Sequence, residues 1–132
     1  MEKMSVNTNA LNWFEIPVTD TPRAKKFYES ILDIQMETSD MAGMEMTFFP
    51  YDMEGQNGKV SGALVKGEMM NPSMDGAIVY LNAHPAIQLI VDRIEHAGGK
   101  VLMPKTLINE NVGYMAFFAD TEGNRVGLHS MA

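Results

Sequence analysis

Two side chains able to move protons stand opposite apolar partners on predicted strands. In Leu11–Val18, the residues Phe14, Ile16 and Val18 alternate with Trp13, Glu15 and Pro17, so a strand here puts Glu15 on the face away from the apolar set. Near the end of the chain, Val126 and Leu128 alternate in the same way with Arg125, Gly127 and His129. A carboxylate in mid-sheet is costly unless it is paired or hydrated. Glu15 therefore has two readings: an ion pair with Arg125, or a general base in an apolar pocket. His129 also has two: a half-buried ring bonded to a backbone carbonyl, or a donor to a developing oxyanion. Acting together as a catalytic pair on one cleft, they would shuttle a proton beside a carbonyl. Trp13, the only tryptophan, is either core or the wall against which a flat substrate stacks. Met44, Phe48, Tyr114 and Phe117 are candidates to extend that wall, and Lys105, after Pro104, is a candidate to meet an anionic substrate. His84 reads as flanking a helix start, and His96 as sitting in a last helical turn, where a cation suits the dipole.

Composition removes several alternatives. The absence of cysteine excludes disulfides, thiolate metal sites and a cysteine nucleophile. A net charge of −7 with scattered lysines and arginines opposes nucleic acid and anionic membranes. No apolar run is long enough to span a bilayer and Met1–Asn9 carries no signal-like core, so a cytoplasmic protein is expected. The 13 methionines cluster between Met36 and Met53 and again at Met69, Met70 and Met74. Most suit core filling, and the middle cluster suits a pliable pocket or a dimer seam.

The elements that would position these groups can be read from periodicity. After the first strand, Thr21-Pro22 opens a helix with Thr21 as cap, and Ala24, Phe27, Tyr28, Ile31 and Leu32 make its apolar stripe. Strands follow at Met44–Phe49 and Val60–Lys66, and a linker at Gly67–Gly76. Then come a strand at Ala77–Asn82 and a helix opened by His84-Pro85 with a stripe of Ile87, Ile90, Val91 and Ile94. Gly98-Gly99 ends it. Strands at Lys100–Met103, Tyr114–Ala119 and Arg125–Ser130 complete the chain.

The halves echo each other. Thr21-Pro22 matches His84-Pro85, Phe48-Phe49-Pro50 matches Phe117-Phe118-Ala119, and Lys59-Val60-Ser61-Gly62 loosely matches Asn124-Arg125-Val126-Gly127. The expectation is an α+β fold of two tandem βαβββ units forming a cupped mixed sheet with helices on the outside. It is one domain over residues 1–132: a first unit at about 11–66, a linker at 67–76 and a second unit at about 77–130.

This order, with Trp13-Phe14-Glu15-Ile16-Pro17-Val18, Asp20, Arg23-Ala24 and Phe27-Tyr28, resembles the vicinal-oxygen-chelate superfamily of glyoxalases, bleomycin-resistance proteins and dioxygenases. Gly99–Lys105 and Asp120–Ser130 are further matches, and the likeness is greatest to the branch labelled as related to lactoylglutathione lyase. The resemblance implies metal ligands on the first and last strands of each unit. The corresponding positions here read Trp13, Gly62, Ala77 and Gly127, none of which has a side chain that binds a divalent cation. No metal and no cofactor are expected.

The first functional reading is a metal-independent isomerase or lyase acting on a small carbonyl compound, with Glu15 and His129 catalytic. The second is a non-catalytic binder of ligands or drugs of the bleomycin-resistance kind, and the third a metal-dependent lyase resembling lactoylglutathione lyase. The partners expected are a small molecule and a second copy of the chain.

Overall fold

The computed structural model describes residues 2–54 and 57–132. Its elements in order are β1 (Trp13–Pro17), α1 (Thr21–Leu32), β2 (Glu37–Met41), β3 (Met44–Phe48), β4 (Ser61–Lys66), β5 (Tyr80–Asn82), α2 (Ile87–Ile94), β6 (Lys100–Asn109), β7 (Gly113–Ala119) and β8 (Arg125–Ser130). They make two four-stranded mixed sheets of the same topology, β1-β4-β3-β2 and β5-β8-β7-β6, each with one parallel pair. The chain is an α+β fold of two tandem βαβββ units.

The apolar stripes act as their spacing predicts: Ala24, Phe27, Tyr28 and Ile31 of α1 are buried, as are Ile87, Ile90, Val91 and Ile94 of α2. The cap of α1 differs. Asp20 caps it, its carboxylate accepting from the Arg23 N–H at 3.0 Å, and Thr21 is the first helical residue. Helix α2 begins at Ile87, past His84-Pro85. No side chain caps it; instead the Ile87 N–H donates to the Ala132 carbonyl at 3.0 Å.

Three strands depart from the expected pattern, β5 by being confined to Tyr80–Asn82 where a strand from Ala77 is expected. β2 is wholly exposed and polar except for Met41, so apolar periodicity does not mark it. It exists because Ala42 and Gly43, both at positive φ (53° and 79°), turn the chain back onto β3. β6 runs past Met103 through Pro104 to Asn109, with register shifts along its pairing with β7. As the edge of its sheet it tolerates a residue without an N–H.

Both units bury their apolar faces in one core. Ile16 and Leu64 from the first sheet, Val18 just past β1, and Leu81, Phe118 and Leu128 from the second sheet belong to the same cluster, with the stripes of both helices. Tyr28 lies between the sheets, 5.7 Å from the ring of Phe49 and 6.2 Å from that of Phe118. Polar groups repeat the connection. The Tyr28 hydroxyl donates to Asp120 at 2.7 Å, 92 residues away. The Glu122 carboxylate accepts from the Thr19 N–H, the Asp20 N–H and the Arg23 Nε–H at 2.9, 2.8 and 2.7 Å. The turn before β8 therefore grips the first turn of α1.

Candidate functional site

The pairing registers settle which side chains face away from the helices. On the first sheet, Glu15, Ala63 and Phe48 lie in one row and Pro17, Val65 and Met46 in the next. On the second sheet the rows are Tyr80, Gly127, Phe117 and Met103, then Asn82, His129 and Met115. The two sheets superimpose through matching bonds: Val18 N–H donates to Val65 at 2.9 Å, and Ala83 N–H to His129 at 2.8 Å. Glu15 thus corresponds to Tyr80, Ala63 to Gly127, Phe48 to Phe117 and Trp13 to Ile78.

This correspondence corrects two expected positions by one residue. The places that the resemblance assigns to metal ligands are Trp13, Ala63, Ile78 and Gly127; Gly62 lies on the core face of β4, under the ring of Phe14. None of the four side chains is a ligand for a divalent cation. Among the described residues, no group of three or more His, Cys, Asp or Glu side chains is placed to hold one.

The outer face of the first sheet carries an aromatic and methionine surface. Met46, Ala63 and Val65 are buried there, with Met44, Phe48 and Met70 packed around them. Trp13 sits at its edge, 6.2 Å from Phe48, which in turn lies 5.4 Å from Tyr51. Trp13 is 37% exposed, so it is neither core nor free side chain. Its indole N–H approaches Glu15 Oε2 at 3.4 Å. The outer face of the second sheet has its own platform, where the Tyr80 ring lies over Gly127 and reaches Phe117 at 5.8 Å. A Cβ on Gly127 would stand 2.7 Å from that ring, so glycine makes room for it.

The expected catalytic pair is not brought together within the chain. Glu15 is exposed and lines a cleft where β1 meets the linker and β8, and His129 is absent from that lining. His129 Nε2 lies 2.6 Å from the Val112 carbonyl. A carbonyl only accepts, so Nε2 carries the proton. The ring also stands edge-on to His84 at 6.1 Å. The register expected for both strands holds, but they belong to different sheets, and His129 lies at the far end of β8 from Arg125. Nor is Glu15 ion-paired with Arg125: both line the cleft, yet no carboxylate makes an ion pair with Arg125 among the described residues.

Of the wall candidates, Met44, Phe48 and Phe117 lie on outer faces. Tyr114 alternates with them and packs on the core side, where the Lys105 ammonium caps its ring at 4.3 Å. This pair is separate from both platforms. Tyr80 and Tyr51, not singled out by sequence, belong to the platforms. Tyr80 had a signal in the strand Ala77–Asn82, whereas Tyr51 lies beyond Pro50 in a stretch read as loop.

The sequence matches the Glyoxalase/Bleomycin resistance protein/Dioxygenase superfamily over residues 10–128, and the chain belongs to that family. A protein of Mycobacterium bovis named "Putative glyoxylase CFP32" is 30% identical over 120 residues, covering 89% of this chain and 44% of its own length. The chain thus spans less than half of that relative. Among solved structures, maize glyoxalase I superimposes with a TM-score of 0.69 at 20% identity, covering 92% of this chain and 46% of the enzyme chain. TnmS3, an antibiotic binding protein from Streptomyces sp. CB03234, gives 0.65 at 20% identity, covering 97% of this chain and all of its own.

Proposed function

We propose that the protein is a small-molecule-binding member of this family, holding a flat, largely apolar ligand against its outer sheet faces without a metal. The observation that carries this is the half-exposed aromatic row Trp13, Phe48 and Tyr51 backed by methionines, with Glu15 as the nearby charge. Aromatic rings with one open face stack planar ligands, and methionine adapts to their outline. The likeness in fold to an antibiotic-binding protein supports the same reading. The metal-independent isomerase or lyase needs Glu15 and His129 on one reacting atom, and in one chain His129 is spent on Val112.

The test is a calorimetric titration with planar polycyclic compounds, anthraquinones among them. Saturable binding is expected, and Trp13→Ala or Phe48→Ala should weaken it about tenfold. Because Trp13 is part exposed, its loss should lower stability by only about 1–2 kcal/mol, below the roughly 3–5 for a fully buried aromatic. No saturable binding, together with turnover of a small carbonyl compound that Glu15→Gln abolishes, would favour the isomerase or lyase instead.

A homodimer belongs to the same reading. Exposed apolar side chains on these faces, Trp13, Met41, Tyr51 and Tyr80, gain from cover, and a second copy can bring one platform over the other. Light scattering at micromolar concentration should give twice the 14.7 kDa chain mass; a monomer would count against it.

A further inference from the structure

The cleft at the seam between the units has a character unlike the aromatic faces. It encloses about 190 Å³ and is lined by Glu15 and Pro17 of β1, Asn71, Ser73 and Asp75 of the linker, and Arg125 of β8, among others. The linker is fastened there by two hydrogen bonds: the Ser73 N–H donates to Asn124 Oδ1 at 3.1 Å and the Arg125 N–H to the Ser73 carbonyl at 3.3 Å.

Arg125 is unsatisfied. A guanidinium has five N–H donors. Among the described residues its side chain makes one hydrogen bond, from Nη2 to the Gly76 carbonyl at 3.1 Å. Its Nε–H is buried and meets no acceptor among the described residues. No carboxylate among the described residues pairs with it, although Glu15 and Asp75 line the same cleft. Nε is closed off by its burial, so a ligand can meet only the open end of the guanidinium; a cation without a counter-charge in contact is costly there, and a carboxylate supplies one with a forked pair of bonds. A simple anion would also meet Glu15 and Asp75. A ligand that carries a carboxylate beside an ammonium meets all three charges with the correct sign. The volume lies below the roughly 300–1,000 Å³ of sites for drug-sized ligands, which suits a molecule of amino-acid size.

We propose that this cleft is a site for a small zwitterion, an α-amino acid or a compound of that charge pattern, with Arg125 taking the carboxylate and Glu15 and Asp75 taking the ammonium. The proposal does not rest on the stacking of a flat ligand and stands if that fails.

The side-chain Nε–H signals of the three arginines in 15N-labelled protein give a direct readout, and Arg125→Gln identifies the one that belongs to Arg125. The probes are glycine, L-alanine and L-leucine as zwitterions, propionate as the anion alone and ethylamine as the cation alone, each to about 50 mM. At least one zwitterion should shift the Arg125 signal saturably. Propionate should bind about tenfold or more weakly, and ethylamine should leave the signal in place. Asp75→Asn, an exposed linker change that leaves the core untouched, should weaken the zwitterion and not propionate. The idea is overturned if no zwitterion shifts the signal, if propionate binds as tightly, or if Asp75→Asn changes nothing. Should Arg125→Gln fail to fold, Arg23→Lys and Arg93→Lys identify the other two signals and leave the third to Arg125, and the Asp75→Asn comparison then decides.

Discussion

Replacing Glu122 by glutamine is expected to cost about 2–3 kcal/mol at neutral pH and to flatten the acid limb of unfolding. The Glu122 side chain has no solvent exposure, and burial alone would raise its pKa. Hydrogen bonds from Arg23, Asp20, Thr19 and Thr121 outweigh that and hold the group near a pKa of about 2, against the usual 4.5. Because folding depresses this pKa, the stabilisation is complete above about pH 4.5 and is lost as the pH falls towards 2. Denaturant unfolding at neutral pH and at about pH 3 should show the variant closing on the wild type in acid. A gap of constant size across that range would mean that the ionised carboxylate is not what holds the turn to α1.

Phe118→Ala should be costlier still, about 3–5 kcal/mol, or a melting point roughly 10–20 °C lower. Phe118 is wholly buried on β7 of the second sheet, yet its ring neighbours are Phe27 and Tyr28 of α1, at 5.8 and 6.2 Å. The cavity therefore opens in a core that belongs to both units, and its loss should be felt throughout. Trp13 fluorescence reports the first sheet and far-ultraviolet circular dichroism the whole chain, so the two midpoints should fall together. If the Trp13 signal kept its original midpoint while the dichroism shifted, the units would be energetically separate.

What sequence reveals here follows from the range of the interactions. The stripes of both helices and the alternation of β1 and β8 are set by neighbours a few residues apart, and they appear as expected. β2 is the counter-example: it is a strand through the Ala42-Gly43 turn and its pairing with β3, while its own residues are exposed and, Met41 apart, polar. The site is less legible for the same reason. Alternation gave the face of Glu15 and of His129 correctly, but whether two faces on separate sheets share a cleft depends on how the sheets meet. That meeting is fixed by contacts spanning about a hundred residues, such as Thr19 with Glu122 and Tyr28 with Asp120. Likewise, Tyr114 and Phe117 read alike as aromatic residues of one strand, and only the register separates the one under Lys105 from the one beside Tyr80.

The turn Asp120–Asn124 is spent on construction. Asp120 accepts the Tyr28 hydroxyl and its own turn's N–H groups, Glu122 holds the first turn of α1, and Asn124 reaches the Pro17 carbonyl at 2.7 Å. A descendant could exchange every side chain on the outer faces, acquire or lose a metal, or change its ligand, and still need this turn to join its halves. Construction in this fold is thus placed at the joint and the open aromatic surfaces on the faces, so the faces can change without loosening the joint.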